Sequence, residues 1–390
     1  MQKALVFVAL ASVVTAGLAL DPKQAELEHN GWFRYTNQSA SFGITDPSVS
    51  RFALERGYIR MSYQWSSFFF TKFTLDIHSS DKYPEGATVR LKEGYADMAL
   101  PLQDFKFTAG LQKHYFGLGY SWDYTHPDKS LADAQGVCAS ADYGATVNGY
   151  LPSGLGEVQL GVYNGEGYKY AGKYANTSPE LLANLRMTPL AGVMVGVSAF
   201  TNAKDNSAYK NDVSAGKLSP DRKKWLLPDT GNISRLGIAP VLKLTYGPVS
   251  LTGEYIVHNY TREYGYYTAD SASGEISDPT RKVSEKKYAQ SGFDLLPVVA
   301  LAKRKVELYG RFSMWERKED GTRNDAKSLT RYGAGVNYHL QRRAKGKPGL
   351  EFQLAWVRQQ SKAEGSDPVD TFMAQFRFEW SQIITEFIPQ

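Results

Sequence analysis

Apolar and polar residues alternate with a period of two along almost the whole chain, and no other feature constrains the fold as tightly. Thr371–Trp380, TFMAQFRFEW, is the clearest stretch. Phe372, Ala374, Phe376, Phe378 and Trp380 share one side, and Met373, Gln375, Arg377 and Glu379 share the other. Successive side chains of a strand point to opposite faces, so this stretch is a strand with one greasy and one polar face. Roughly sixteen such segments of ~9–11 residues succeed one another, joined alternately by short Gly/Pro turns and longer polar loops. A greasy face repeated in strand after strand predicts lipid outside and water inside. The expected fold is all-β, a 16-stranded antiparallel transmembrane β-barrel with short periplasmic turns and long extracellular loops. Closure is required because lipid offers no partner to a free backbone N–H or C=O.

The first residues, MQKALVFVALASVVTAGLAL, carry Lys3, an apolar run from Ala4 to Val14, and small residues at Ala16, Gly17 and Ala19. This is the layout of a secretory signal peptide. Residues 1–19 are expected to be a leader and 20–390 a single barrel domain in the outer membrane of a Gram-negative-type bacterium. Beyond the leader no apolar run is long enough to cross a bilayer as a helix. A mean hydropathy of -0.39 suits a barrel, in which only alternate residues need be apolar. The 25 Tyr and 35 Gly suit interfacial girdles and crowded positions.

One cysteine, Cys138, excludes an internal disulfide framework and a thiolate metal cluster. Six His without an H-E-x-x-H pattern give no reason to expect a metal or a cofactor. The net charge of +5 is mild and scattered, which argues against a nucleic-acid partner and leaves room for an anion preference.

Taken in order, Trp32–Asn37 opens the barrel and Tyr115–Ala141 is a long third loop between the fifth and sixth strands. Leu181–Thr188 turns at Pro189. Asn202–Ile233 is the longest loop, carrying Arg222-Lys223-Lys224. Thr261–Glu285 reads as a polar loop, Lys287–Leu296 as the next strand, and its turn falls around Pro297 and Lys303–Lys305. The final strand ends at Trp380, with SQIITEFIPQ beyond it. The basic runs, including Arg342-Arg343, read as solvated loop or turn charges, and the first of them as a contact to lipopolysaccharide.

Two blocks carry a family resemblance. Glu93–Tyr124, EGYADMALPLQDFKFTAGLQKHYFGLGYSWDY, holds a Tyr/Asp strand, a short turn, a strand ending in Gly-x-x-Lys and a Phe-Gly entering the third loop. Asp142–Gly167, DYGATVNGYLPSGLGEVQLGVYNGEG, is a hairpin ending in Asn-Gly. Both resemble the phosphate- and pyrophosphate-selective porin family, porins O and P. The resemblance implies a 16-stranded outer-membrane porin, a homotrimer, with the third loop folded inward as a constriction.

In a pore the chemistry is the placement of charge, with no bond made or broken. If the polar face points inward, the pore-lining basic candidates are Arg34, Arg56, Arg60, Lys106, Arg186, Arg235, Lys243, Arg311, Arg331 and Arg377. Glu157, Glu254, Glu307, Glu351 and Glu379 face them. These charges either set a transverse field or pair across strands and keep the lumen wet. The constriction-loop candidates are Trp122, Asp123, Tyr124, His126, Asp128, Lys129 and Asp133. No catalytic residue is expected. A barrel hydrolase would need a nucleophile motif near one of the histidines, and a plugged transporter would need an extra N-terminal domain. A structural or adhesive surface barrel is a weaker alternative. The sequence reads best as a passive channel for small hydrophilic solutes with a weak anion preference, with a phosphate- or other anion-selective channel next.

Overall fold

The computed structural model describes residues 21–39, 48–79, 86–102, 104–118, 126–165, 167–168, 179–202, 217–218, 224–226, 232–273, 275–342 and 348–384. The expected leader, Arg222-Lys223 and most of the fifth loop lie outside the described residues.

Sixteen long strands build the molecule. They are β1 (Gln24–Gln38), β2 (Val49–Ser66), β3 (Phe69–Ser79), β4 (Ala87–Ala99), β5 (Phe105–Lys113), β6 (Ala141–Leu151), β7 (Gly156–Tyr163) and β8 (Glu180–Leu190). After these come β9 (Val193–Asn202), β10 (Asn232–Tyr246), β11 (Val249–Ala269), β12 (Ile276–Leu301), β13 (Val306–Glu319), β14 (Leu329–Gln341), β15 (Gly349–Ser361) and β16 (Val369–Ile384). Each pairs antiparallel with the next. β16 then pairs with β1 from Ala25↔Ile384 to Gln38↔Thr371, which closes the sheet. Closure leaves no long strand edge to meet lipid.

The two faces separate as the alternation requires. On β16, Phe376 is 38% exposed on the outside while Gln375 on the inside is 0% exposed. The outer wall continues through Leu160, Leu185, Val197, Leu242 and Leu354, all exposed. An apolar outer belt on a closed sheet makes this a membrane-spanning barrel. Inside, polar side chains satisfy one another across strands. Gln375 donates to Gln353 at 2.6 Å, and Gln353 donates to Asn337 at 3.2 Å. On the opposite wall Gln159 donates to Asn148 at 2.7 Å and Asn148 to Thr108 at 3.0 Å. Buried amides and hydroxyls left unpaired would each cost roughly 1–3 kcal/mol, so these ladders are what allows a polar interior to pack.

Four boundaries differ from the sequence reading. β1 starts at Gln24, well before Trp32. Thr261–Glu285 is mostly ladder: β11 runs to Ala269 and β12 begins at Ile276, with pairs from Thr261↔Lys287 to Tyr266↔Lys282. In sequence this hairpin carries polar residues at both alternating positions, so no alternation marks its strands. Pro189 and Pro297 lie inside β8 and β12 instead of at turns. The stretch after Trp380 continues β16 to Ile384, against Ala25–Glu28 of β1.

One irregularity turns two consecutive side chains of β4 toward the lumen. Thr74 pairs with Glu93 and Leu75 with Leu91, so Lys92 is an extra residue in β4. Such a bulge breaks the alternation, and here Lys92 and Glu93 are both buried inside.

Candidate functional site

The third loop leaves β5 at His114 and enters the barrel. Phe116 is fully buried and meets Phe200 edge to face, with ring centroids 4.8 Å apart. Leu131, Ala132 and Val137 from the same loop join a cluster with Leu182, Phe200, Ile256 and Trp315 on the inner faces of β8, β9, β11 and β13. The barrel therefore offers an apolar pad on part of its inner wall, and the loop lies on it.

A loop placed inside a lumen carries backbone polar groups that no ladder satisfies. Here the wall arginines supply the partners. Arg186 donates to Gly117 O at 2.6 Å, Arg34 to Pro127 O at 2.8 Å and Arg235 to Val137 O at 2.8 Å. Arg311 donates to Asp128 O at 3.1 Å and Lys129 O at 2.9 Å, and Arg331 also bonds Lys129 O. Wall acceptors and hydroxyls take the loop amides. Gly117 N donates to Ser198 Oγ at 3.0 Å, Leu118 N to Glu254 Oε2 at 3.2 Å and Leu131 N to Asp294 Oδ2 at 3.2 Å. A short helix, α1 (Leu131–Ala134), is capped by Ser130, whose Oγ accepts from Asp133 N. Lys92 bonds Ser140 Oγ where the loop rejoins the wall.

Gly117 has a physical reason to be glycine. Its φ is +57°, and a Cβ there would collide with Glu254 Oε1. The Phe-Gly pair noted in the sequence is thus the point where the chain turns sharply against the wall.

Asp128 is the centre of the far clamp. Its carboxylate pairs with Arg311 and lies 3.1 Å from Arg331, while Arg311 Nε is 3.3 Å from Asp294. Burial alone would raise the Asp128 carboxyl, but the two guanidinium groups outweigh it and hold it below the usual carboxylate range. His126 lies against the Tyr309 ring at 4.1 Å between centroids. Burial pushes its imidazole down to about 4, against the pull of Asp128 and with a smaller push from Arg311.

These two groups give the docked loop a pH dependence of definite sign. A docked His126 stays neutral below the value of roughly 6.5 at which a free imidazole charges. Acidification therefore favours the undocked loop across the window from about 6.5 to about 4, and the effect levels off below it. Asp128 acts in the same direction at lower pH. Its contribution is present above roughly pH 4, the free carboxyl value, and is lost as pH falls through its depressed pKa. Loop undocking, monitored by limited proteolysis of the folded barrel, is expected to rise as pH falls through that window, and His126→Gln to flatten it. A protease-sensitivity profile unchanged by pH would contradict this.

Every sequence candidate among the described residues lies on the inner face or in the loop. Arg34, Arg186, Arg235, Arg311 and Arg331 grip the loop, and each also sits beside a carboxylate: Glu55, Glu157, Glu180, and Asp128 for the last two. Arg56 donates to Glu55 O at 2.8 Å. Arg60 pairs with Glu28, Lys106 with Asp97 at 2.6 Å, and Arg377 with Glu379 and, at 3.9 Å, Glu351. Glu307 is 3.5 Å from His339. Lys243 is half-buried on β10 and makes no ion pair with another described residue. Asp133 lies in the first turn of α1. Trp122, Asp123 and Tyr124 lie outside the described residues. The sequence reading missed Lys72, 3.3 Å from Glu93, together with Lys92, Ser198 and Asp294. Asp294 had a signal, a lone acid on a strand that continues Leu295-Leu296-Pro297-Val298. Lys92 had none, because its bulge breaks the period.

A scan against protein-family models finds no match, and neither does a search of curated proteins. Solved structures do match in fold. The trimer form of OmpT, an outer membrane protein of Vibrio cholerae, aligns with a TM-score of 0.55 at 11% identity, covering 91% of this chain and 99% of that one. An anion-selective porin from Comamonas acidovorans aligns at 0.53 and 9% identity, covering 92% and 98%. The outer membrane channel DcaP of Acinetobacter baumannii aligns at 0.53 and 9%, covering 92% and 96%. The chain is similar to these over nearly its whole length, so its fold is a porin-type outer-membrane barrel. The finer likeness to phosphate-selective porins stays with the two sequence blocks that suggested it.

Proposed function

We propose that this protein is an outer-membrane porin: a passive diffusion channel for small hydrophilic solutes with a weak anion preference. Residues 1–19 are its leader and residues 20–390 its barrel. The observation that carries the reading is the third loop pinned across the inner wall by arginines. A loop so held narrows a lumen without needing energy or chemistry to move it.

The anion preference rests on a count of partners. Most lumen cations stand beside carboxylates, so their fields largely cancel a few ångströms away. Lys243 makes no ion pair with another described residue, which leaves a small positive excess. A strongly selective channel would need a dense row of such unpaired cations, so the phosphate-selective reading ranks second. Assembly as a homotrimer belongs to the same proposal. It is supported by the fold shared with the trimer form of OmpT from Vibrio cholerae.

Single-channel recording in a planar bilayer under a KCl gradient tests the reading. Ohmic openings with a reversal potential slightly on the anion side are expected, reduced toward zero by Lys243→Gln. Small openings blocked by low phosphate would favour the selective alternative. A correctly folded barrel that passes no current would overturn the channel reading.

A further inference from the structure

We propose that the periplasmic rim around β12, β13 and β14 binds an anionic phospholipid of the inner leaflet. Two basic runs far apart in sequence meet there. One is Lys303-Arg304-Lys305, in the turn between β12 and β13. The other begins at Arg342, just past the end of β14. Arg342 Nη2 donates to Arg304 O, and His339 N donates to Lys305 O at 2.9 Å, so the two runs are held together by hydrogen bonds. All four cations are exposed. Lys303, Arg304 and Lys305 make no ion pair with another described residue, while Arg342 lies 3.9 Å from Glu307.

This concentration of charge is local. The other short turns at the same end, 67–68, 100–104, 152–155, 191–192 and 247–248, contain no Lys or Arg. The backbone also shows that side chains are kept here against a conformational cost. Ala302, Lys303 and Arg304 have φ of +48°, +55° and +65°, a left-handed region that favours glycine. The turn between β6 and β7 meets a similar demand with Ser153 and Gly154, at +58° and +69°. Glycine at Lys303 or Arg304 would relieve the backbone, yet cations stand at both.

Position selects the kind of anion. Leu301, Tyr338 and Leu340 are exposed on the outer wall beside these cations, at the lower edge of the apolar belt. A ligand that engages both must join a negatively charged head to hydrocarbon chains. In an anionic phospholipid the phosphate meets the cations, the guanidinium groups of Arg304 and Arg342 offering paired donors to its oxygens. The chains then lie along Leu301 and Leu340, with Tyr338 at the interfacial depth that suits an aromatic ring. A cluster of cations at the edge of a bilayer attracts such heads. A soluble phosphate or the glycan polymer of the cell wall would use the charges and leave the apolar wall unused.

The test uses the full-length folded barrel in neutral detergent, with phosphatidylglycerol and phosphatidylethanolamine as probes and native mass spectrometry counting retained lipids. The readout is independent of conduction. Phosphatidylglycerol is expected to be retained in preference to phosphatidylethanolamine. The combined variant Lys303→Gln, Arg304→Gln, Lys305→Gln and Arg342→Gln should bind phosphatidylglycerol about tenfold more weakly or worse. Its folding is verified by heat-sensitive electrophoretic mobility. Lys303→Gln with Lys305→Gln, which leaves the Arg342 hydrogen bond in place, serves if the larger variant does not fold. Arg358→Gln, at the extracellular rim, should retain the lipid like the parent. Equal retention by parent and variant, or no preference between the two lipids, would overturn the proposal. Displacement of the lipid by millimolar glycerol phosphate would overturn it in favour of a soluble anion. Charge-dependent binding to isolated cell-wall sacculi without a phosphatidylglycerol preference would overturn it in favour of the glycan polymer.

Discussion

Replacing Arg311 by alanine is expected to free the far arm of the third loop and to raise single-channel conductance and current noise. Arg311 donates to the carbonyls of Asp128 and Lys129, pairs with the Asp128 carboxylate and lies 3.3 Å from Asp294. All of this is enclosed, since Arg311 is 8% exposed and Asp128 7%. Removing one partner of a buried pair leaves the other charge without compensation, at a cost of roughly 3–5 kcal/mol. Arg331 alone would be left to hold the Asp128 carboxylate and the Lys129 carbonyl, while the Asp128 carbonyl and Asp294 would lose their guanidinium, and undocking the loop into water is the cheapest way to solvate them. The barrel ladder itself does not pass through Arg311 side-chain contacts, so the strands should stay closed. Asp128→Ala combined with Arg311→Ala should cost less than the sum of the two single changes, because both act on the same clamp. Arg358→Ala, at an exposed pair with Asp370, should change neither conductance nor noise. Conductance and noise unaltered in Arg311→Ala would show that the apolar pad alone holds the loop.

A second large effect belongs to the outer wall. Phe376→Arg places a charge on the lipid face of β16, between Phe33 of β1 and Phe352 of β15 in the ladder. Near the bilayer midplane such a charge costs about 2–4 kcal/mol. The folded fraction in lipid vesicles, read from heat-sensitive electrophoretic mobility across a urea series, should shift to lower urea. Phe376→Leu keeps the apolar face and should shift it little. If the arginine variant folded like the parent, the assigned outer face would be wrong.

The barrel was legible because one physical demand is written at every other residue. Lipid requires an apolar side chain wherever a strand faces outward, so Phe372, Phe376 and their counterparts recur and the strands can be counted. Where that demand lapses, so does the signal. The far part of β11 and β12, from Thr261 to Glu285, carries polar residues at both alternating positions, so it read as a loop. The end of β16 past Trp380 lies at the opposite rim and was cut short for the same reason. The inward arginines were legible as inward, since alternation fixes a face. Their engagement was not. Arg311 and Arg331 meet Asp128 across a long stretch of chain, and no local pattern records that a loop returns to lie between them. The role of Lys92 was hidden by its bulge, which places two consecutive residues inside.

The seam between β1 and β16 sets the order in which this molecule can be made. Every other neighbouring pair of strands is adjacent in sequence and can form by local zippering, but Ala25 must find Ile384. Contacts of that separation form last, because the entropy of closing so long a loop is spent before any bond is gained. Until then the sheet has two bare edges, each a template for pairing with another chain. The interval between synthesis of the first strand and arrival of the last is the period of greatest exposure to aggregation. Variants that weaken the β1–β16 register should therefore lower the yield of folded barrel well before they lower the stability of the barrels that do form.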